Sequence, residues 1–301
     1  MNSLHTVTLI GILLVGLSAL PCVAETVILE EITVRGTEIS SDKEILTIRE
    51  VRESSARDIG EAIEEIPGLV SLRKGAIAND IVLRGLQRDN INVLMDGVRV
   101  QGGCPSRMDP PVFHFDFAEV ESIEVVKGPY DLSHAGSMGG LVNAVGKTTE
   151  QGLGFSATLT YGSYDQLHSS ITGSYGTETY DVLVGYAYKY SLPPKAGNGK
   201  RITDIYPATS KNRYRNDKID DKAYDINTVW VKGGYQLTRK TRTELGFAHQ
   251  DAEHVLYPAL LMDAEHDRTN RVNWTTIVDN PSDLFTDAKI QVYWTDVDHL
   301  M

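Results

Sequence analysis

The second half of the chain consists of segments in which apolar and polar residues alternate. The first such segment alternates serine and threonine with Phe155, Ala157, Leu159 and Tyr161. The same alternation recurs further along the chain, which gives seven segments in all. A period of two places one set of side chains on one face of a β-strand. Segments of about ten residues with Tyr and Trp near their ends are typical of transmembrane strands whose apolar side chains face lipid. A soluble β-sandwich is the alternative.

The connections between these segments alternate in length. Long connections span residues 191–222 and 251–267, whereas residues 237–240 form a tight turn and the connection after the sixth segment is also short. Outer-membrane barrels have long loops on one side and short turns on the other, and a sandwich has no reason for this asymmetry. The pattern therefore favours about seven antiparallel transmembrane barrel strands within residues 151–301.

Residues 40–150 show a different pattern. Apolar residues recur at helical spacing after Ser54 until Pro67-Gly68 ends the predicted helix. Short apolar runs punctuated by glycine follow, and Asp96-Gly97 is a hairpin signal within one of them. This region is therefore predicted to be a compact α+β domain.

The chain begins with an apolar run from Leu9 to Leu20, which is too short to span a bilayer. Small residues follow it, so residues 1–24 are predicted to be a secretory signal cleaved after Ala24, although no Lys or Arg precedes the run. Lipidation of Cys22 is a minor alternative. The formal net charge of -12 gives no electrostatic footprint for a nucleic-acid partner. No catalytic or phosphate-binding motif is present, so we do not expect an enzyme.

Residues 101–111 are too rich in Gly and Pro for a helix or a strand interior, and they carry Cys104 and Met108 four residues apart. A thiolate and a thioether suit copper(I) better than magnesium, calcium or manganese. Once the signal leaves with Cys22, Cys104 is the only thiol in an exported chain and cannot form an intrachain disulfide. The alternative is a turn with a buried Cys and a gap-filling Met.

Several motifs in order resemble the TonB-dependent outer-membrane receptors over residues 25–301. The resemblance rests on 59–63 and 66–68 at the opening of the plug, on the plug strands 82–85, 93–98 and 123–129, and on the final plug segment 139–143. Residues 25–39 then hold the TonB box and linker, 40–150 the plug, and 151–301 part of the barrel. The box itself is identified as Glu30, Glu31, Ile32, Thr33 and Val34. The resemblance implies an outer-membrane transporter energised by a TonB-type partner.

Within this family, Gly-Gly-Cys-Pro followed by Met108 resembles the copper receptors, in which a plug Cys and Met meet a His-x-Met pair from the barrel wall. The chain ends in His299-Leu300-Met301. The resemblance therefore implies Cys104, Met108, His299 and Met301 as the ligands of a copper ion, expected to be monovalent, that is the transported cargo.

The parity of the last strand gives an independent check on the wall ligands. Ile290, Val292 and Trp294 occupy even positions and are expected to face lipid, so odd positions face the lumen. His299 and Met301 are odd and would point inward, near the outer rim.

Other candidate ligands are weaker. His254, Met262 and His266 are placed in the second long loop, and His114, His134 and Met138 are interpreted as structural residues. The acidic residues of that loop are expected to form a solvated face; they are Asp263, Glu265 and Asp267.

Seven strands are too few to enclose a plug, because plugged transporters need about twenty-two. We therefore expect a curved open sheet and a chain that is a fragment or a truncated product. Two alternatives remain. One is a receptor for a siderophore or other nutrient in which Cys and Met are incidental, and the other is a non-transporting remnant that contains a plug.

Overall fold

A computed structural model of the chain describes residues 43–47, 49, 56–129, 131, 133–258, 260, 262–282 and 284–301. Ile39–Met301 form one compact unit. The predicted signal, residues 1–24, and the predicted TonB box, residues 30–34, lie outside the described residues, so both stay predictions.

The described residues of the α+β part form eight strands in two sheets. They are β1 (Lys43–Thr47), β2 (Leu69–Leu72), β3 (Asp80–Leu83), β4 (Leu86–Gln87), β5 (Ile91–Met95), β6 (Val98–Arg99), β7 (Val120–Lys127) and β8 (Gly140–Gly146). One sheet has the order β1-β7-β8-β5-β6, in which only the β5–β8 pair is parallel, and the other has the order β2-β3-β4. The hairpin predicted at Asp96-Gly97 joins β5 to β6.

Helix α1 (Ile59–Ala62) is shorter than the helical period predicted. The carboxylate of Asp58 caps its first turn by accepting from the amide of Glu61 at 2.9 Å. Ile66 is extended because it precedes Pro67, so the chain passes into a short 3-10 turn, Ile63–Glu65, and leaves the helix. None of the helices in the described part of the chain is long and apolar enough to cross a membrane.

Further single 3-10 turns connect the strands. They are Arg88–Asn90, Pro111–His114, Phe117–Glu119, Ser163–Asp165, Ile202–Asp204 and Asn216–Lys218. The large sheet is contacted by two of these turns, Pro111–His114 and Phe117–Glu119. Pro111 stands at the first position of its turn, where its missing amide and fixed φ are tolerated.

The described residues from Gly152 onward form one seven-stranded sheet. Its strands are β9 (Gly152–Gly162), β10 (Gln166–Gly176), β11 (Tyr180–Ser191), β12 (Tyr224–Thr238), β13 (Thr241–Val255), β14 (Ala264–Ser282) and β15 (Phe285–Leu300). Each strand pairs antiparallel with its neighbour in sequence, and β9 and β15 are the two edges. The predicted seven strands and open sheet are confirmed.

The two faces of this sheet differ as the alternation requires. Ile290, Val292 and Trp294 of β15 are 63 %, 55 % and 55 % exposed on the outer face. On the inner face, Leu183 and Trp230 are buried in a cluster that packs against Ala118 of the α+β part. The inner face therefore covers the plug-like domain, and the outer face presents apolar side chains to its surroundings.

The second long connection is shorter than predicted. Strand β13 runs to Val255 and β14 starts at Ala264, because pairing continues as far as Val255 with Ala264. Asp267 is consequently not part of a solvated loop face. It lies within β14 on the inner face and is fully buried, so that expectation was wrong for Asp267. The long connection between β11 and β12 spans 192–223, close to the predicted 191–222.

Candidate metal centre at the plug–sheet interface

The loop that carries Cys104 and Met108 is a tight turn. The amide of Arg107 donates to the carbonyl of Cys104 at 2.8 Å, and Pro105 supplies the fixed φ that suits the second position of such a turn. The guanidinium of Arg107 binds both carboxylate oxygens of the buried Asp80, at 3.0 and 3.2 Å. This two-pronged ion pair fixes the loop to β3 at Arg107, a position between Cys104 and Met108.

Asp109 closes the same loop from the other side. Its carboxylate accepts from the amides of Gly103 and Cys104, and its side chain is fully buried. Burial raises the pKa of the Asp109 carboxyl, but the His114 imidazole and these two amides outweigh burial and hold that pKa below its ordinary value. The carboxylate is therefore ionised and ties Cys104 into a defined position.

The two glycines before Cys104 permit close approach. A Cβ on Gly102 would collide with the carbonyl oxygen of Asp109, and a Cβ on Gly103 would lie 3.0 Å from the Cβ of His299. The first glycine thus allows the loop to fold on itself, and the second allows it to reach the end of β15. The Gly-Gly-Cys sequence is explained by these contacts.

His299 reaches the loop from the sheet. Its Nδ1 lies 2.9 Å from Oδ2 of Asp267, the residue that faces it in the β14–β15 register. Its Nε2 is buried and has no hydrogen-bond partner among the described residues. A carboxylate on one ring nitrogen is the usual arrangement for a histidine whose other nitrogen binds a metal, because it fixes the tautomer and the ring orientation.

Ligand atoms of Cys104, Asp109 and His299 converge at this point. One atom from each residue lies within 4.8 Å of the other two. Ligands that bind one ion at about 2.0–2.3 Å stand roughly 3–4 Å apart, so a small closing movement brings all three onto one ion. The Cys104 side chain is only partly buried, which leaves the site reachable.

The predicted methionines lie at the same interface. Met108 is buried in an apolar cluster of loop and sheet residues, and Cys104 and Met301 pack against that cluster. All four predicted ligands thus lie at the interface between the plug loop and the end of the large sheet.

Tyr257 fastens Met108 to the sheet side. Its hydroxyl donates to the carbonyl of Met108 at 2.6 Å, and its side chain is fully buried. Burial, followed by the charges of Asp267 and Asp109, raises the pKa of Tyr257 well above its ordinary value. The phenol therefore stays protonated and remains a donor to the loop.

Three functional candidates were absent from the sequence-derived set: Asp109 and Asp267 as ligands or supports, and His114, which was interpreted as structural. Nδ1 of His114 lies 2.7 Å from Oγ1 of Thr269, and Nε2 lies 3.3 Å from Oδ2 of Asp109. Inward parity on β14, where Asp267 and Thr269 share a face, is the signal that could have identified the sheet partner.

Residues 35–141 match the family model described as the TonB-dependent receptor plug domain. No curated protein matches the chain.

Solved structures of three transport proteins share the fold. The copper transporter OprC is 22 % identical, with 86 % of this chain and 38 % of that chain covered and a TM-score of 0.74. The FrpB iron transporter from Neisseria meningitidis is 14 % identical, with 84 % and 40 % covered and a TM-score of 0.65. The ferric enterobactin receptor PfeA from Pseudomonas aeruginosa is 17 % identical, with 85 % and 41 % covered and a TM-score of 0.59. The chain spans about two fifths of the length of these structures.

Proposed function

Because residues 35–141 match the family model of the TonB-dependent receptor plug domain, and the chain shares its fold with a solved copper transporter, we propose that the chain acts in TonB-dependent uptake of copper across the outer membrane. The ion is the cargo and is held between plug and sheet. Cys104, Met108, His299 and Met301 are its ligands in this proposal.

The single observation that carries the proposal is the convergence of Cys104, Asp109 and His299 within 4.8 Å. The free Nε2 of His299 and the thiol of Cys104 provide one imidazole and one soft anionic ligand, and two thioethers lie in the adjoining cluster. Sulfur ligands select copper(I) over hard cations. A thiolate also neutralises the charge of copper(I), which favours its transfer into a partly buried site.

Division of the ligands between two bodies suggests how the ion leaves. Cys104 and Met108 belong to the plug loop, whereas His299 belongs to the end of β15 and Met301 directly follows that strand. Movement of the plug relative to the sheet separates the two pairs and lowers the affinity without any change in the ligands themselves. A firm site can in this way hold copper at rest and release it when energy is supplied.

The outer face of the sheet supports a membrane location. Leu153, Phe155, Leu159 and Tyr161 alternate along β9 and are 85 %, 71 %, 73 % and 71 % exposed. Rows of exposed apolar side chains on one face of strands of this length suit lipid contact. Export by the signal in residues 1–24 is part of the same proposal.

A copper(I) titration tests the cargo. We expect the protein in detergent micelles to take up about one copper(I) per chain in competition with a chromophoric copper(I) chelator. Met108→Leu and Met301→Leu are each expected to weaken the affinity about tenfold, the size of loss typical of partners that tune a metal site, because leucine fills the same space without sulfur. Met138→Leu is the matched control, since Met138 is 74 % exposed in the same plug.

If neither Met108→Leu nor Met301→Leu changes the copper(I) affinity, the two thioethers are not ligands of the ion. If the wild-type protein binds a ferric siderophore and does not bind copper(I), the chain belongs to a siderophore receptor in which Cys104 and the methionines are incidental.

We further propose that a TonB-type partner pairs with Glu30, Glu31, Ile32, Thr33 and Val34 by adding them as a strand to its sheet edge. Deletion of residues 30–34 is expected to abolish capture of the protein by the purified carboxyl-terminal domain of TonB while copper(I) affinity stays unchanged. Capture that survives the deletion contradicts this assignment.

A further inference from the structure

His114 lies between two carboxylates beneath the sulfur loop. Its Nε2 is 3.3 Å from Oδ2 of Asp109, which follows the loop, and its Nδ1 is 3.6 Å from Oδ1 of Asp267 on β14. All three side chains are at most 1 % exposed. One ligand atom from each also lies within 4.8 Å of the other two, so the three residues form a second convergent set that shares only Asp109 with the first.

Two atoms of this set have no hydrogen bond. Nε2 of His114 and Oδ1 of Asp267 are buried and lack a hydrogen-bond partner among the described residues. Most buried polar side-chain atoms in folded proteins have a partner, and leaving one without costs about 1–3 kcal/mol. Both atoms belong to residues of the convergent set, and a cation bound within that set would provide the missing partner for each.

The charged groups around Asp109 and Asp267 also favour a bound cation. Within the described residues, the ion-pair contacts of Asp109 and Asp267 come from His114 and His299 alone, and neither carboxylate contacts Lys or Arg. The two carboxyl groups therefore meet at a buried point where histidine is the only basic side chain of the described residues in contact with them. Buried charges are normally paired or bound to a metal, and one divalent cation balances both.

We propose that Asp109, His114 and Asp267 form an inner site for a divalent transition-metal ion of the zinc class. Two carboxylate oxygens and one imidazole nitrogen suit such borderline ions better than copper(I), which prefers the sulfur ligands above. Nδ1 of His114 is held by Oγ1 of Thr269 at 2.7 Å, which leaves Nε2 as the ligand nitrogen. Asp109 retains its loop contacts, because a carboxylate has about four acceptor positions.

This inner site goes beyond copper uptake and does not require Cys104. It joins Asp109 and His114 of the plug to Asp267 of the sheet, so an ion there bridges the two parts of the molecule. Asp267 also holds His299, so the bridging ion would lie directly behind the sulfur-bearing site.

Calorimetry with Zn²⁺ tests the site in a background without the thiol. The Cys104→Ser protein in micelles is expected to bind about one Zn²⁺ per chain. Adding His114→Gln is expected to weaken that affinity at least about tenfold, the loss that even an outer partner of a metal produces. Glutamine preserves a polar contact for Thr269. His134→Gln is the matched control, because His134 is a half-buried plug histidine bound to Asp131.

Two results would overturn the inner site. One is a Cys104→Ser protein that takes up no Zn²⁺, and the other is equal Zn²⁺ affinity with and without His114→Gln. If the double variant does not fold, X-ray absorption of the zinc-loaded Cys104→Ser protein decides instead. Oxygen and imidazole scattering around zinc is expected, and a zinc shell without imidazole refutes the site. The copper(I) titration of the wild-type protein is separate, so either proposal can fail alone.

Discussion

Replacing Cys104 by serine is expected to weaken copper(I) binding by more than about 100-fold, beyond the 10- to 100-fold range of partners outside the first ligand shell. Cys104 is the only anionic sulfur ligand in the set, and a neutral hydroxyl is a hard, weak ligand for copper(I). Serine preserves the backbone amide that donates to Asp109 at 2.9 Å, so the loop should retain its shape. Competition with a copper(I) chelator measures the change.

Ser106→Ala is the control for this substitution, because Ser106 lies in the same turn with an exposed side chain. It alters the loop surface by one hydroxyl and leaves the ligands untouched, so its copper(I) affinity should equal that of the wild-type protein. A Cys104→Ser protein that binds copper(I) as tightly as the Ser106→Ala protein would exclude the thiol as a ligand.

Alternation was sufficient to predict the large sheet. A strand buried on one face only must keep its apolar residues at every second position, so seven segments with that period could be counted without coordinates. The same period assigned the inner face to odd positions of the last strand. The structure places His299 on that face beside the loop of Cys104, and Met301, which follows the strand, packs against the adjoining apolar cluster.

The supporting carboxylates could not be predicted in this way. Asp267 follows Asp263 and Glu265, and three acidic residues within five positions suggest a solvated loop. Only the pairing of β14 with β13 and β15 extends the strand far enough to turn Asp267 inward. This strand pairing depends on residues distant in sequence, so the local pattern of charged residues does not predict it.

Asp109 was missed for a related reason. Its contacts are with the amides of Gly103 and Cys104 and with His114, and these depend on how the loop closes. A sequence segment rich in Gly and Pro predicts a loop but leaves its conformation open. The residue types that can bind metal were therefore visible in the sequence, whereas the residues that orient them became apparent only in the folded chain.

Both proposed metal sites lie at the interface between plug and sheet. Tyr257 fastens the carbonyl of Met108, Asp109 fastens the amide of Cys104, and Asp267 fastens His299. Each ligand or its backbone is thus held by a buried polar group rather than by the ion alone. Such preorganisation raises affinity because less conformational freedom is lost on binding, and it also means that a shift of one body disturbs several contacts at once.

Asp267→Asn is accordingly expected to impair both sites. Asparagine has nearly the same shape but no charge, so it orients Nδ1 of His299 more weakly, and copper(I) affinity should fall about 10- to 100-fold, as for other carboxylate partners of metal-binding histidines. The same change removes one anionic ligand from the inner site, so Zn²⁺ binding in the Cys104→Ser background should be lost.

Asp298→Asn is the matched control, because Asp298 precedes His299 in β15 but contacts His266 on the other face, at 3.2 Å. Equal copper(I) affinities for the Asp267→Asn and Asp298→Asn proteins would show that the carboxylate behind His299 does not support the bound ion.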